Sequence, residues 1–264
     1  MANSKKTVTF DAWQFAPGAA ALAQRTILIS GATGALGSAV ALACAQHGAT
    51  VVLCGRDVAE LEALYDRIEQ TGAPQPAIVP VDLEGASAAD YAIVREALTS
   101  GLRVLDGLAH IAGTLGQLSP IEHADARQWQ RTISVNLSAP FYLTQACLPL
   151  LRRSSDASIV FTLDEKARAY WAGYGVAKAG LAALAKILAD EWKPPPGETR
   201  NVRVNAIDPG PLRSKLRRAA YPAENAQRLA SASERVASYL YLLSEQSREV
   251  NGMRFSYGDA PQPL

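Results

Sequence analysis

Short, β-branched apolar runs alternate with helical stretches along nearly the whole chain, and no other feature restricts the fold as much. The runs at 26–30, 49–54, 77–81, 104–111, 158–162, 202–207 and 253–257 are too short for helices and apolar enough for buried strands. Between them lie helical patterns at 38–47, through Leu61, Leu64 and Ile68, around 91–98, from about 125 to 153, from Tyr174 onward, and at 233–243. Such alternation predicts a single α/β domain built on a doubly wound, seven-stranded parallel sheet with helices on both faces. Pro194-Pro-Pro-Gly197 marks a clear break before the sixth run. Residues 1–24 read as an arm, whose aromatics Phe10, Trp13 and Phe15 are expected to pin it to the body.

The first run leads into Gly31-Ala-Thr-Gly34-Ala-Leu-Gly37 and then into a helix. Strand, glycine turn and helix form the context in which a glycine loop becomes a dinucleotide site. Glycines allow the turn, let the backbone approach a pyrophosphate, and permit close helix packing. The helix N-terminus offers free N–H groups to the phosphates. The second run ends in Gly55-Arg56-Asp57. An Arg just past that strand can pair with a 2′-phosphate, where an acid would take a ribose hydroxyl, so Arg56 favours NADP(H) with NAD(H) still possible. Asp57 doubles as a candidate N-cap for the next helix.

Tyr174-Gly-Val-Ala-Lys178 opens a helix rich in Ala, Leu and Lys. Residues four apart share a helix face, so the phenol and the ammonium can converge on one point. A free phenol has a pKa near ~10. A cation ~4 Å away at an effective dielectric of ~20 contributes up to ~4 kcal/mol, or ~3 pKa units, which is enough to make the phenol an acid or base near neutrality.

Composition excludes more than it selects. The net charge is +1 with scattered charges, so no polyanion-binding surface and no nucleic-acid partner are expected. Cys44, Cys54 and Cys147 lack any metal or redox spacing and read as buried packing in a reducing compartment; no metal is expected. No signal-peptide core follows Lys5 and Lys6, and no apolar run approaches the ~18 residues of a membrane span. The expected location is the cytoplasm, without a membrane partner.

With these marks in place, the chain resembles the short-chain dehydrogenase/reductase family. They are Ser30-Gly-Ala-Thr-Gly-Ala-Leu-Gly37, Asp82-Leu83, Ala112-Gly113, Asn136, Tyr174 with Lys178, and Asp208-Pro209-Gly210, all in family order. The stretches 168–174 and 208–217 look most like the bacterial YciK-like oxidoreductases. The resemblance implies an NAD(P)-binding Rossmann domain over residues 25–264 and NADP(H)-dependent carbonyl reduction or alcohol oxidation on a small-molecule substrate. It gives Tyr174 the role of proton donor, or base in reverse. Lys178 would hold the nicotinamide ribose and lower the phenol pKa, while Asn136 would position Lys178 through a water. Ser30, Gly31, Thr33, Gly34, Leu36 and Gly37 would cradle the cofactor, with Ala112 and Gly113 beside them. Asp82 and Leu83 would flank the adenine, and Pro209, Gly210, Leu212 and Ser214 would hold the nicotinamide end. Family habit adds a homodimer or homotetramer through the helices near 125–153 and 174–192.

Three departures sharpen the expectations. The glycines follow the Gly-x-x-Gly-x-x-Gly spacing of the family's extended branch, although few residues follow Pro209 to build that branch's substrate domain. Ile111, preceded by His110, stands where the family usually has asparagine. The substrate-orienting serine before the tyrosine is missing: the segment reads Thr162-Leu-Asp164-Glu-Lys166-Ala-Arg168. An ionised Asp164 cannot donate to a substrate oxygen, and it would raise the tyrosine pKa. Thr162 could substitute, Asp164 could work protonated or turn to Lys166 or Arg168, or the site could have lost carbonyl chemistry. The last case describes a catalytically weak or inactive NADP(H)-binding sensor. The basic loop at Arg213, Lys215, Arg217 and Arg218 borders the expected pocket and could receive an acidic substrate.

Overall fold

A computed structural model describes residues 11–193 and 202–264; the Pro194 break and the arm up to Phe10 lie outside the described residues. The strands are β1 (Thr26–Ser30), β2 (Thr50–Gly55), β3 (Ala77–Pro80), β4 (Gly107–His110), β5 (Ala157–Thr162), β6 (Val202–Asp208), β7 (Met253–Ser256) and β8 (Gln262–Pro263). They form one sheet in the order β3-β2-β1-β4-β5-β6-β7-β8. The first seven are parallel, as expected, and β8 adds an antiparallel edge, so the sheet has eight strands rather than seven.

The helices are α1 (Ala35–Gln46), α2 (Val58–Glu69), α3 (Ala88–Gly101), α4 (Ala126–Ile133), α5 (Ala139–Leu151), α6 (Ala172–Glu191), α7 (Lys215–Ala220) and α8 (Ala237–Leu243). Side chains alternate across the sheet and each face gains its own core. Ile27, Ile29, Val51 and Leu53 meet Val40, Cys44, Leu61, Ile68 and Leu242 on one side. Leu28, Val52 and Cys54 meet Leu98, Leu143, Cys147 and Leu181 on the other. The pattern expected from 125 to 153 is interrupted: a π turn at Ser134–Ser138 separates α4 from α5. The helix expected from Ser233 is likewise two pieces, a capped 3-10 turn at Ala232–Arg235 and then α8.

The described part of the arm lies on the body. Trp13 packs edge-on to Tyr257 at 5.3 Å, Phe15 does the same to Tyr241 at 5.4 Å, and Leu22 is fully buried. Helix α6 is long and apolar enough to cross a membrane by length and composition, yet its buried face packs into this protein and carries Tyr174 and Lys178.

β1 pairs with both β2 and β4, so the winding reverses between β1 and β4. At such a switch point the loops beyond the strand ends part and leave a crevice. The glycine turn, the ends of β4 and β5, and the loops after β6 all open into it.

Candidate active site

The crevice is a cleft of about 960 Å³. Its floor at one end is the glycine turn, where Gly31, Thr33, Gly34, Leu36 and Gly37 line the wall. Gly31 has φ +67°, and a Cβ there would stand 2.6 Å from the Ala112 Cα. A Cβ on Gly37 would stand 2.1 Å from the Gly31 carbonyl oxygen. These two positions require glycine, and they expose bare backbone at the N-terminus of α1. Gly34 is its N-cap residue, with an extended backbone open to other residues.

Ser30 belongs to the same motif but is not part of the cleft wall. Its Oγ accepts from the Ile111 and Ala112 N–H groups at 3.2 and 3.3 Å, tying the end of β1 to the end of β4. The expected cofactor contact becomes a brace, at the place where Ile111 lacks an asparagine side chain. His110 is buried, stacks on Phe161 at 4.7 Å and bonds Thr144 Oγ1 at 2.9 Å. Burial pulls its pKa down to about 3 and keeps it neutral, as befits a strand-end packing residue.

Arg56, Asp82, Leu83, Ala112 and Gly113 line the cleft next to the glycine turn. Asp57 caps α2, accepting from the Glu60 N–H at 3.1 Å. Two residues missed in the sequence stand beside Arg56. Arg131 on α4 places Nε 2.8 Å from Glu84 Oε2, and Arg56 Nη1 lies 3.6 Å from the same oxygen. Nothing in the helical pattern of α4 separates Arg131 from any solvated charge.

At the other end stand Tyr174 and Lys178, both buried on the first two turns of α6. The Tyr174 hydroxyl donates to Asp164 Oδ2 at 3.0 Å, and the Lys178 ammonium donates to the Thr162 carbonyl at 2.8 Å. Lys166 Nζ holds Asp164 Oδ1 at 2.5 Å. Thr162 also lines the cleft, and its hydroxyl bonds the buried Tyr239 hydroxyl at 2.9 Å. Asp164 is thus the group at the phenol, and it turns to Lys166 rather than Arg168, whose guanidinium bonds Tyr221.

This arrangement reverses one expectation. Burial first, and then the Asp164 carboxylate, push the Tyr174 phenol well above its ordinary range instead of toward neutrality. Desolvation also pulls Lys178 down to about 8. Proximity of a cation is not enough when a nearer anion accepts the phenol's own proton.

Asn136 sits in the π turn. Its Nδ2 donates to the Thr132 and Thr114 carbonyls, both at 2.8 Å, and its Oδ1 accepts from the Thr114 N–H at 3.2 Å. It therefore braces the loop after β4 against α4, close to Gly113 and Lys178. Pro209, Gly210, Leu212 and Ser214 line the cleft above, and Ser214 also caps α7. Of the basic loop, Lys215 and Arg217 reach the wall, whereas Arg213 bonds the Ala226 and Leu229 carbonyls and Arg218 is not part of the lining. Arg217 is itself forked onto Glu224.

Comparison with known proteins agrees with this geometry. Residues 25–225 match the family model for short chain dehydrogenases. The chain is 33% identical over 245 residues to the uncharacterized oxidoreductase YciK of Escherichia coli (strain K12), covering 92% of this chain and 95% of that one. It superposes with a TM-score of 0.87 and 38% identity on a short chain dehydrogenase from Pseudomonas syringae, over 94% of this chain and 99% of the other. A short chain dehydrogenase from Escherichia coli CFT073, solved in complex with NADPH, matches at 35% identity and a TM-score of 0.87, over 92% and 100% of the two chains. A switch-point cleft with a glycine turn at one end and a Tyr-Lys pair at the other, matched over this length, places the chain among the short-chain dehydrogenases, oxidoreductases that act on alcohol and carbonyl groups.

Proposed function

We propose that this chain is an NADP(H)-dependent reductase of small-molecule carbonyl compounds, with Tyr174 as the proton donor. One observation carries this reading. Tyr174 and Lys178 are buried on successive turns of α6, and both line the wall of the cleft that holds the glycine turn at its other end. The cleft fits a dinucleotide: the bare backbone at Gly31 and Gly37 and the α1 N-terminus suit a pyrophosphate, and Arg56 with Arg131 suits a 2′-phosphate. Asp82 and Leu83 would flank the adenine, Lys178 the nicotinamide ribose, and Pro209 to Ser214 the nicotinamide.

When bound, NADPH supplies the hydride. The chain's own residues handle the proton. Tyr174 gives its hydroxyl proton to the carbonyl oxygen as that oxygen gains charge, which completes the alcohol. Lys178, anchored to the Thr162 carbonyl and protonated at neutral pH, stabilises the tyrosinate left behind. Asn136 keeps Gly113 and the loop after β4 in register with Lys178. The same reading includes a homodimer or homotetramer through α4, α5 and α6, where Trp129, Phe141, Val176 and Ile187 are exposed, and light scattering would give its mass.

A second reading draws on the Tyr174–Asp164 bond, which occupies the proton that catalysis needs: a weakly active or inactive NADP(H)-binding sensor. NADPH oxidation across a panel of aldehydes, ketones and quinones separates the two. Turnover supports the reductase, whereas tight NADPH binding without oxidation supports the sensor.

Arg56→Ala should weaken NADPH binding by about 10- to 100-fold, the worth of a charge-assisted hydrogen bond, with much less effect on NADH. Fluorescence titration of both cofactors is the check, and equal loss for both would remove the phosphate assignment.

A further inference from the structure

We propose that the substrate carries a hydroxyl on the carbon next to the reacting carbonyl, so that the enzyme reduces α-hydroxy ketones or aldehydes to vicinal diols. The inference rests on the reading of Tyr174 as proton donor.

The argument starts from the two oxygens of Asp164. Oδ1 is taken by Lys166 Nζ at 2.5 Å, and that ammonium also lies 5.6 Å from the centre of the Trp171 ring. Oδ2 accepts from the Tyr174 hydroxyl at 3.0 Å. The carboxylate is half-buried on the cleft wall, its side chain 26% exposed. When the phenol turns to a carbonyl oxygen, Oδ2 loses its donor and an unpaired carboxylate oxygen is left beside developing alkoxide charge. Both effects oppose the reaction.

A plain ketone does nothing to relieve this. An α-hydroxy carbonyl presents an acceptor and a donor on adjacent carbons, and such oxygens lie roughly one hydrogen-bond length apart. That spacing matches the pair it must meet, Tyr174 Oη and Asp164 Oδ2, at 3.0 Å. The carbonyl oxygen takes the Tyr174 proton while the neighbouring hydroxyl donates to Oδ2. A hydroxyl suits the site better than an ammonium, because Lys166 already offsets the carboxylate charge and buried Lys178 stands close by.

The step balances. Hydride adds to the carbonyl carbon, the phenol proton goes to its oxygen, and the C=O becomes CH–OH. The α-hydroxyl keeps its proton throughout. Asp164, ionised and acceptor-only, therefore selects for a donor next to the reacting carbon, whereas a serine at this place could donate as well as accept and would discriminate less.

The test compares hydroxyacetone with methoxyacetone, and 2-hydroxyacetophenone with 2-methoxyacetophenone, in NADPH oxidation by the full-length enzyme. Each pair has similar inductive activation and differs in the donor. The wild type should favour the hydroxy member by at least tenfold in kcat/KM, as a site built around a hydrogen bond does. In Asp164→Ser that preference should fall toward unity and the methoxy ketones should gain rate. Equal use of both members by the wild type overturns the inference while leaving the reductase reading intact, as does a preference that survives in Asp164→Ser. NADPH binding, followed by fluorescence, without oxidation in either pair overturns this inference, and the reductase reading falls with it only when the aldehyde, ketone and quinone panel fails as well.

Discussion

Tyr174→Phe should lower kcat for carbonyl reduction by about 10²- to 10⁴-fold, the usual worth of a positioned proton donor. NADPH affinity should stay unchanged. The ring itself is secured by packing: it is buried and lies 5.7 Å from the Trp171 ring, contacts that phenylalanine keeps. The hydroxyl bonds Asp164, and Asp164 retains Lys166 when the phenol is gone. Stopped-flow hydride transfer and cofactor fluorescence separate the two effects, and a kcat within threefold of wild type would end the assignment of Tyr174 as acid.

The pH profile follows from the same groups. The phenol, raised by burial and then by Asp164, keeps its proton through neutral and mildly alkaline solution. Lys178, lowered to about 8 by desolvation, titrates first, so reduction should decline above about pH 8. That decline is not unfolding. A lysine whose folded pKa lies below its unfolded value of 10.5 leaves the unfolded state holding more protons between about pH 8 and 10.5, so its contribution to stability rises with pH across that window. Activity and melting temperature should therefore move in opposite directions there, as far as Lys178 governs both.

The alternation of strands and helices was legible because parallel strands buried on both faces are written as continuous apolar runs. β8 was not, since two polar-and-proline residues carry no period and proline is tolerated only at an edge. The π turn inside 125–153 leaves the amphipathic pattern intact and depends on Asn136 taking up the Thr132 carbonyl, a contact fixed by the loop after β4. The Tyr174–Lys178 pairing follows from helical geometry alone. What surrounds it does not: Asp164 reaches the phenol because the loop after β5 can lie on α6, and a Cβ at Gly175 would stand 2.4 Å from the Lys166 carbonyl oxygen. The glycine inside Tyr-Gly-Val-Ala-Lys thus admits the acid that sets the phenol's charge. Arg131 and Glu84 escaped for a similar reason, as their meeting beside Arg56 depends on the fold bringing α4 to the loop after β3.

Asp156→Ala should cost about 3–5 kcal/mol of stability, or roughly 6–20 °C in Tm for a domain of this size, at a place far from the chemistry. Asp156 is buried just before β5, at the opposite ends of the strands from the cleft. Its Oδ2 meets Arg25 Nη1 at 3.2 Å and its Oδ1 meets Arg203 Nε at 2.9 Å. Arg203, almost fully buried, spends its remaining donors on the Leu242 and Ser244 carbonyls and on Ser247 Oγ. It thereby satisfies carbonyls at the C-terminus of α8 that the helix cannot pair internally. Removing the carboxylate leaves two buried guanidiniums facing each other with no anion between them, a larger loss than that of the hydrogen bonds alone. Thermal melts of Asp156→Ala and Asp156→Asn measure this directly. The amide restores an acceptor without the charge, so a Tm for Asp156→Asn equal to wild type would show that hydrogen bonding, not charge, holds the arginines. Tyr174 and Lys178 lie at the other end of β5, so folded Asp156→Ala protein should keep its NADPH affinity.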